Sequence, residues 1–160
     1  MELILWRHAE AVDHPHGEDG VGGDALDLER RLTTRGEKQA ARMAAWLDRQ
    51  LPDGARVFAS PAQRTVQTAQ ALGRKFKQRD ELLPGADPAA VLALAGWPDG
   101  RGPVVIIGHQ PTLGQVIGKL LGLPDTECPM RKGAIWWLRE RERGGVMQTV
   151  IVTVQTPELV

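Results

Sequence analysis

Apolar residues fall along the chain in two alternating rhythms, and the alternation predicts the fold class. Leu3-Ile4-Leu5-Trp6, Arg56-Val57-Phe58-Ala59 and Val104-Val105-Ile106-Ile107 are short, nearly continuous apolar runs, the pattern of strands covered on both faces. Between them, apolar positions recur at helical spacing. Ala40, Met43, Ala44, Leu47 and Leu51 line one face of a segment that opens on Thr34-Arg35-Gly36-Glu37 and stops at Pro52-Asp53-Gly54. Thr34 and Glu37 match a capping box, which explains them as helix caps rather than as catalytic groups.

Ser60-Pro61 supplies a cap residue and a first-turn proline for a second helix reaching to about Phe76. A short helix is predicted from Pro88 to Ala95, and another after Pro111-Thr112 with Leu113, Val116, Ile117, Leu120 and Leu121 on one face. In the tail, Ala134 to Leu138 and Met147 to Val154 read as two strands joined by the charged turn Arg139 to Gly145. Trp136-Trp137 then points one ring to each side of the sheet. Strands alternating with helices predict an α/β fold, a three-layer α/β/α sandwich whose mostly parallel sheet carries at least one antiparallel strand. A chain of 160 residues makes one domain of this kind, spanning 1–160.

Charge narrows the partners. Twenty Lys and Arg balance twenty Asp and Glu, so no global field favours nucleic acid or an anionic membrane, and any cation site is local. The single cysteine, Cys128, excludes an intramolecular disulfide or a thiolate zinc cluster and fits a reducing compartment. No apolar run approaches the roughly 18 residues of a membrane span, and Arg7-His8 follows the first apolar run directly; the expectation is a cytoplasmic protein.

Three strands end on polar groups: Trp6 runs into Arg7-His8, Ala59 into Ser60-Pro61, and Ile107 into Gly108-His109. In open α/β sheets these carboxyl ends share an edge where ligands bind. Arg64, one helical turn beyond Ser60, leans back toward the same edge because helical side chains tilt toward the helix N-terminus. The N-termini of the Ser60 and Pro111 helices add free amides. Two guanidiniums with five donors each match a phosphoryl group, and beside them an imidazole is driven to its neutral, nucleophilic form. His8 is best placed to attack phosphorus, and His109 to bind the oxygens as charge builds in transfer.

Four segments carry a family resemblance. Leu5-Trp6-Arg7-His8-Ala9-Glu10 resembles the Arg-His-Gly signature of the histidine phosphatase superfamily, which includes the phosphoglycerate mutases, with alanine where many members have glycine. Leu32-Thr33-Thr34-Arg35-Gly36 resembles its Leu-Thr-x-x-Gly segment, Ser60 to Ala69 its Ser-Pro-x-x-Arg-x-x-x-Thr-Ala segment, and Ile107-Gly108-His109 its second-histidine segment. The resemblance implies a phosphoglycerate mutase-like fold in which His8 is transiently phosphorylated, Arg7, Arg64 and His109 hold the phosphoryl group, and water hydrolyses the intermediate without metal or other cofactor. It also implies a general acid, which falls at Glu81, with Glu18 or Asp19 of the first long loop as alternatives.

The small size resembles the SixA-type phosphohistidine phosphatases of phosphorelay proteins. The short segment between Arg64 and His109 leaves no room for a large helical lid, so the expected partner is a phosphorylated protein carrying phosphohistidine, with inorganic phosphate as product. The alternatives are a small-molecule phosphomonoesterase of the same superfamily, a non-catalytic module that binds phosphoproteins, and a metal hydrolase built on His14 and His16.

Overall fold

In a computed structural model, residues 1–13, 23–123 and 127–160 are described. Six strands form one sheet in the order β3-β2-β4-β1-β5-β6. The strands are β1 (Glu2–Arg7), β2 (Arg56–Ala59), β3 (Lys77–Gln78), β4 (Val104–Gly108), β5 (Ile135–Arg143) and β6 (Val146–Gln155). The four on the β3 side run parallel, β5 runs antiparallel to β1, and β6 antiparallel to β5. This is the mixed α/β sandwich that the alternation predicts, with a two-residue strand, β3, added at one edge.

The apolar runs are buried on both sides, as their continuity requires. Ile4, Trp6, Val105, Ile107 and Trp137 face α2 (Thr34–Gln50) and α3 (Gln63–Ala71), packing on Met43, Ala44, Leu47 and Ala69. Leu3, Leu5, Val104, Ile106 and Leu138 face α4 (Pro88–Ala95) and α5 (Thr112–Leu121), packing on Val91, Ala95, Leu113, Val116 and Ile117. Trp137 belongs to the first layer and Trp136 to the second, one ring to each face.

Several boundaries differ from the sequence reading. The N-cap of α2 is Thr33, one residue earlier than Thr34; its Oγ1 accepts from the Gly36 amide at 2.9 Å. Glu37 therefore misses the third helical position, and no capping box forms. Thr33 gains instead a bond from its hydroxyl to the Glu10 carboxylate, 2.9 Å away. Helix α3 begins at Gln63 with Ala62 as N-cap and ends at Ala71, so Ser60-Pro61 forms a turn ahead of the helix rather than its cap and first turn. The Ser60 hydroxyl is used elsewhere, as described below. Strands β5 and β6 continue through the charged residues to Arg143 and Val146. The turn shrinks to Gly144-Gly145, both at positive φ (59° and 79°), the conformation that a two-residue hairpin turn requires and glycine supplies without strain. Finally, the first long loop contains a short helix, α1 (Gly23–Leu28).

Candidate active site

Register brings the polar strand ends together. Arg7 of β1 lies opposite Gly108 of β4, and Ala59 of β2 opposite Ile107. The next residues, His8, Ser60 and His109, consequently emerge side by side at the carboxyl edge. The amide of His8 donates to Gly108 O (3.1 Å) and that of Ser60 to Ile107 O (3.1 Å), extending the ladder one step into the site.

The backbone after His8 is pinned by both helices of one layer. The Ala9 amide donates to Thr68 Oγ1 (3.2 Å), and the Glu10 amide to Gln39 Oε1 (3.0 Å). Thr68 sits one turn after Arg64 and donates its own hydroxyl to Arg64 O (2.7 Å), so one side chain ties the loop that follows His8 to the helix carrying Arg64. Gly36 permits the close approach: a Cβ there would stand 1.9 Å from Glu10 O.

Both histidines are buried, and hydrogen bonds select their tautomers. His8 Nδ1 lies 2.7 Å from Ala9 O; a carbonyl only accepts, so Nδ1 carries the proton and Nε2 keeps its lone pair. His109 Nε2 lies 2.8 Å from Ser60 Oγ. That oxygen already accepts from the Ala62 amide (3.3 Å), and among the described residues its hydrogen has no other acceptor. The Ser60 hydroxyl donates to Nε2, and the proton of His109 resides on Nδ1.

The two rings stand 5.4 Å apart, tilted by 54°. Burial, then the charges of His109, Arg64 and Arg7, push His8 well below the usual imidazole range, against the opposing effect of the Ala9 carbonyl. Burial followed by Arg64 lowers His109 to about 3. Both rings are neutral at physiological pH.

Around them, Arg7 Nε, Arg64 Nε and His109 Nδ1 are buried with no partner among the described residues. Each carries hydrogen, and leaving a buried donor unpaired costs free energy. Of the other guanidinium nitrogens, Arg7 Nη1 donates to Met130 O (2.6 Å), and Arg64 Nη1 and Nη2 donate to Asp27 O (2.8 Å) and Asp27 Oδ2 (3.0 Å). Three fixed donors beside one free imidazole lone pair can receive an oxyanion and attack the atom it is bonded to.

The structure thus gathers Arg7, His8, Arg64 and His109. Glu81 lies in a 3₁₀ turn (Asp80–Leu82) with its carboxylate 2.7 Å from Arg79 Nη2 and 40% exposed. Two residues later, Leu83 and Pro84 line a cavity with Asp27 and Leu28. Glu18, Asp19, His14 and His16 lie outside the described residues. Among the described residues, no group of three or more His, Cys, Asp or Glu is placed to hold a metal, and no helix is long and apolar enough to cross a membrane.

Three site residues escaped the sequence reading in their actual roles. Ser60 acts through its hydroxyl on His109 rather than as a cap. Thr68 was legible only as part of a motif, although its spacing of four from Arg64 places both on one helical face. Asp27 sits in α1, within a polar stretch whose glycines and proline mask helical spacing.

Residues 3–87 match the model of the histidine phosphatase superfamily, branch 1, and the chain belongs to that family. The phosphohistidine phosphatase SixA of Escherichia coli (strain K12) is 30% identical over 128 residues, which cover 75% of this chain and 74% of that protein. Among solved structures, the protein histidine phosphatase SixA complexed with tungstate is 26% identical with a TM-score of 0.75, covering 98% of this chain and 97% of the other. A phosphoserine phosphatase from Entamoeba histolytica, 15% identical, shares the fold with a TM-score of 0.70 over 99% of both chains.

Proposed function

We propose that this protein is a metal-independent phosphatase that works through a phosphohistidine intermediate on His8 and dephosphorylates phosphohistidine on a phosphorelay protein. The observation that carries the reading is the set of three unpaired buried donors, Arg7 Nε, Arg64 Nε and His109 Nδ1, beside the free Nε2 of His8. A phosphoryl group supplies oxygens as the missing acceptors.

In the first step, His8 Nε2 forms a bond to phosphorus as the bond from phosphorus to the leaving atom breaks, its electron pair passing to that atom. The His8 proton stays on Nδ1 against Ala9 O, which steadies the positive charge the ring acquires. Arg7, Arg64 and His109 hold the oxygens as charge spreads over them in the transition state. In the second step, a water oxygen bonds to phosphorus, the Nε2 electron pair returns to the ring, and phosphate carries away the water's protons. Glu81 is the general acid for leaving groups that need a proton; a phosphoramidate makes less demand on it.

A protein substrate is supported by the E. coli relative and by the short span between α3 and β4. That span holds only β3, the 3₁₀ turn and the eight-residue α4. The test is to incubate the chelator-treated protein with a protein bearing labelled phosphohistidine, quench in alkali, which spares phosphohistidine, and map the label. Label on His8 with release of phosphate is expected, and neither in folded His8→Ala. Release from sugar phosphates alone would make it a small-molecule phosphomonoesterase, and phosphate-dependent binding without release a binding module.

A further inference from the structure

Asp27 is a carboxylate bonded directly to an arginine of the site. Its Oδ2 accepts from Arg64 Nη2 at 3.0 Å and its Oδ1 from Arg30 Nη1 at 2.9 Å. Arg30 is itself held by its Nε to Val12 O, 2.7 Å away. Asp27 is also the carboxylate whose charge reaches His109, where Arg64, Arg7 and Arg30 act in the opposite sense. A bare phosphate gains nothing from a carboxylate nearby. A substrate with an anionic end and a cationic end does, and the carboxylate marks where its positive end belongs.

The same side chain lines a cavity of about 170 Å³ whose other walls are Leu28, Leu83 and Pro84. Several waters' worth of space, each taking about 30 Å³, accommodates a five-membered ring between apolar walls. Both carboxylate oxygens retain a lone pair beyond their arginine bonds, and the side chain is 26% exposed, so it is open to a donor in the cavity.

We infer that the cavity walled by Leu28, Leu83 and Pro84 receives the leaving imidazole of the substrate's phosphohistidine, and that Asp27 accepts the N–H of the ring nitrogen distal to phosphorus. The inference rests on the phosphatase reading above and deepens it by giving the leaving group a place. Chemically, a phosphorylated imidazole protonated on its distal nitrogen is an imidazolium. Asp27 stabilises that form. When the P–N bond breaks, its electron pair returns to the ring nitrogen, the positive charge is discharged, and a neutral imidazole departs with its distal N–H still on Asp27. No proton has to reach the scissile nitrogen. A phenol or alcohol leaving group has neither a distal N–H nor a positive ring, and gains none of this.

The experiment compares kcat/KM of the full chain and Asp27→Asn toward phosphoimidazole and p-nitrophenyl phosphate. Both rates fall in the variant because Arg64 loses a charged partner. Phosphoimidazole turnover is expected to fall by a further 10- to 100-fold, roughly the worth of one hydrogen bond to a charged group. Leu28→Trp, which fills the cavity, is expected to raise KM for phosphoimidazole several-fold more than it raises Ki for orthovanadate, which has no leaving group to seat. Equal losses on the two substrates in Asp27→Asn, with KM and Ki moving together in Leu28→Trp, would overturn the inference and leave Asp27 as a support for Arg64. A wild-type chain that cleaves p-nitrophenyl phosphate but not phosphoimidazole would overturn the phosphohistidine reading itself.

Discussion

Ser60 decides which nitrogen of His109 carries the proton. Its hydroxyl, 2.8 Å from His109 Nε2, leaves Nδ1–H as the nitrogen without a protein partner among the described residues. In Ser60→Ala, Nε2 loses that partner and the ring redistributes between tautomers. About a 10-fold loss in kcat/KM is expected, the worth of one hydrogen bond, with nitrogen-15 spectra showing a mixture at His109. Spectra and rate identical to wild type would dissociate Ser60 from the tautomer.

The neutral histidines make stability depend on pH in a defined direction. In the unfolded chain an imidazole takes up a proton near pH 6.5, whereas His109 in the fold does so only at about 3 and His8 only well below its ordinary value. Below pH 6.5 the unfolded state therefore binds more protons, and stability falls as pH falls. The slope approaches ~1.4 kcal/mol per pH unit for each ring. Urea melts between pH 7 and 5 should show this loss, and His109→Gln a shallower one; a midpoint constant over that range would contradict the burial of uncharged rings.

Gly36 stands where a methyl group has no room. Its absent Cβ would lie 1.9 Å from the Glu10 carbonyl oxygen, backbone that cannot swing aside. Gly36→Ala should cost about 1–3 kcal/mol and also lower kcat/KM, because Glu10 follows His8 by two residues. Thermal melting and kinetics on one preparation check both; an unaltered rate in a destabilised variant would show that the loop moves independently of His8.

Glu81→Gln separates leaving groups. Among the described residues the Glu81 carboxylate is paired with Arg79 alone and is 40% exposed, so the fold should tolerate the change, exposed pairs being worth at most about 1 kcal/mol. If Glu81 is the general acid, alkyl phosphate turnover drops by about 100-fold or more while phosphohistidine turnover changes little. Equal rates for the alkyl ester before and after the substitution would hand the role to another carboxylate.

Exhaustive treatment with chelator should leave the rate on phosphohistidine unchanged. Loss of activity restored by a divalent cation would move the chemistry to a metal site such as one built on His14 and His16.

The sandwich and the four site residues were readable because continuous apolar runs leave a strand no solvent face, and because the first polar residue after such a run falls at the sheet edge whatever the details. Finer features depended on competition between groups. Thr33 and Thr34 are equally good caps in isolation; the Glu10 carboxylate, which bonds the Thr33 hydroxyl, favours the earlier one. Ser60 ahead of proline has the signature of a cap, yet a buried imidazole 49 positions away in the chain claims its hydroxyl. Asp27 looks like one acid among several in a polar stretch, and only the fold reveals that Arg64 needs it.

The sheet order carries a consequence for how activity appears during synthesis. β1 and β2 are not neighbours; β4 lies between them and hydrogen-bonds to both. Until residues 104–108 have left the ribosome, the strand leading to His8 and the strand leading to the Arg64 helix have an empty lane between them, bridged only from the helix layer above. The strand that fills the lane ends on His109. Closing the sheet and bringing His109 beside His8 are therefore a single late event.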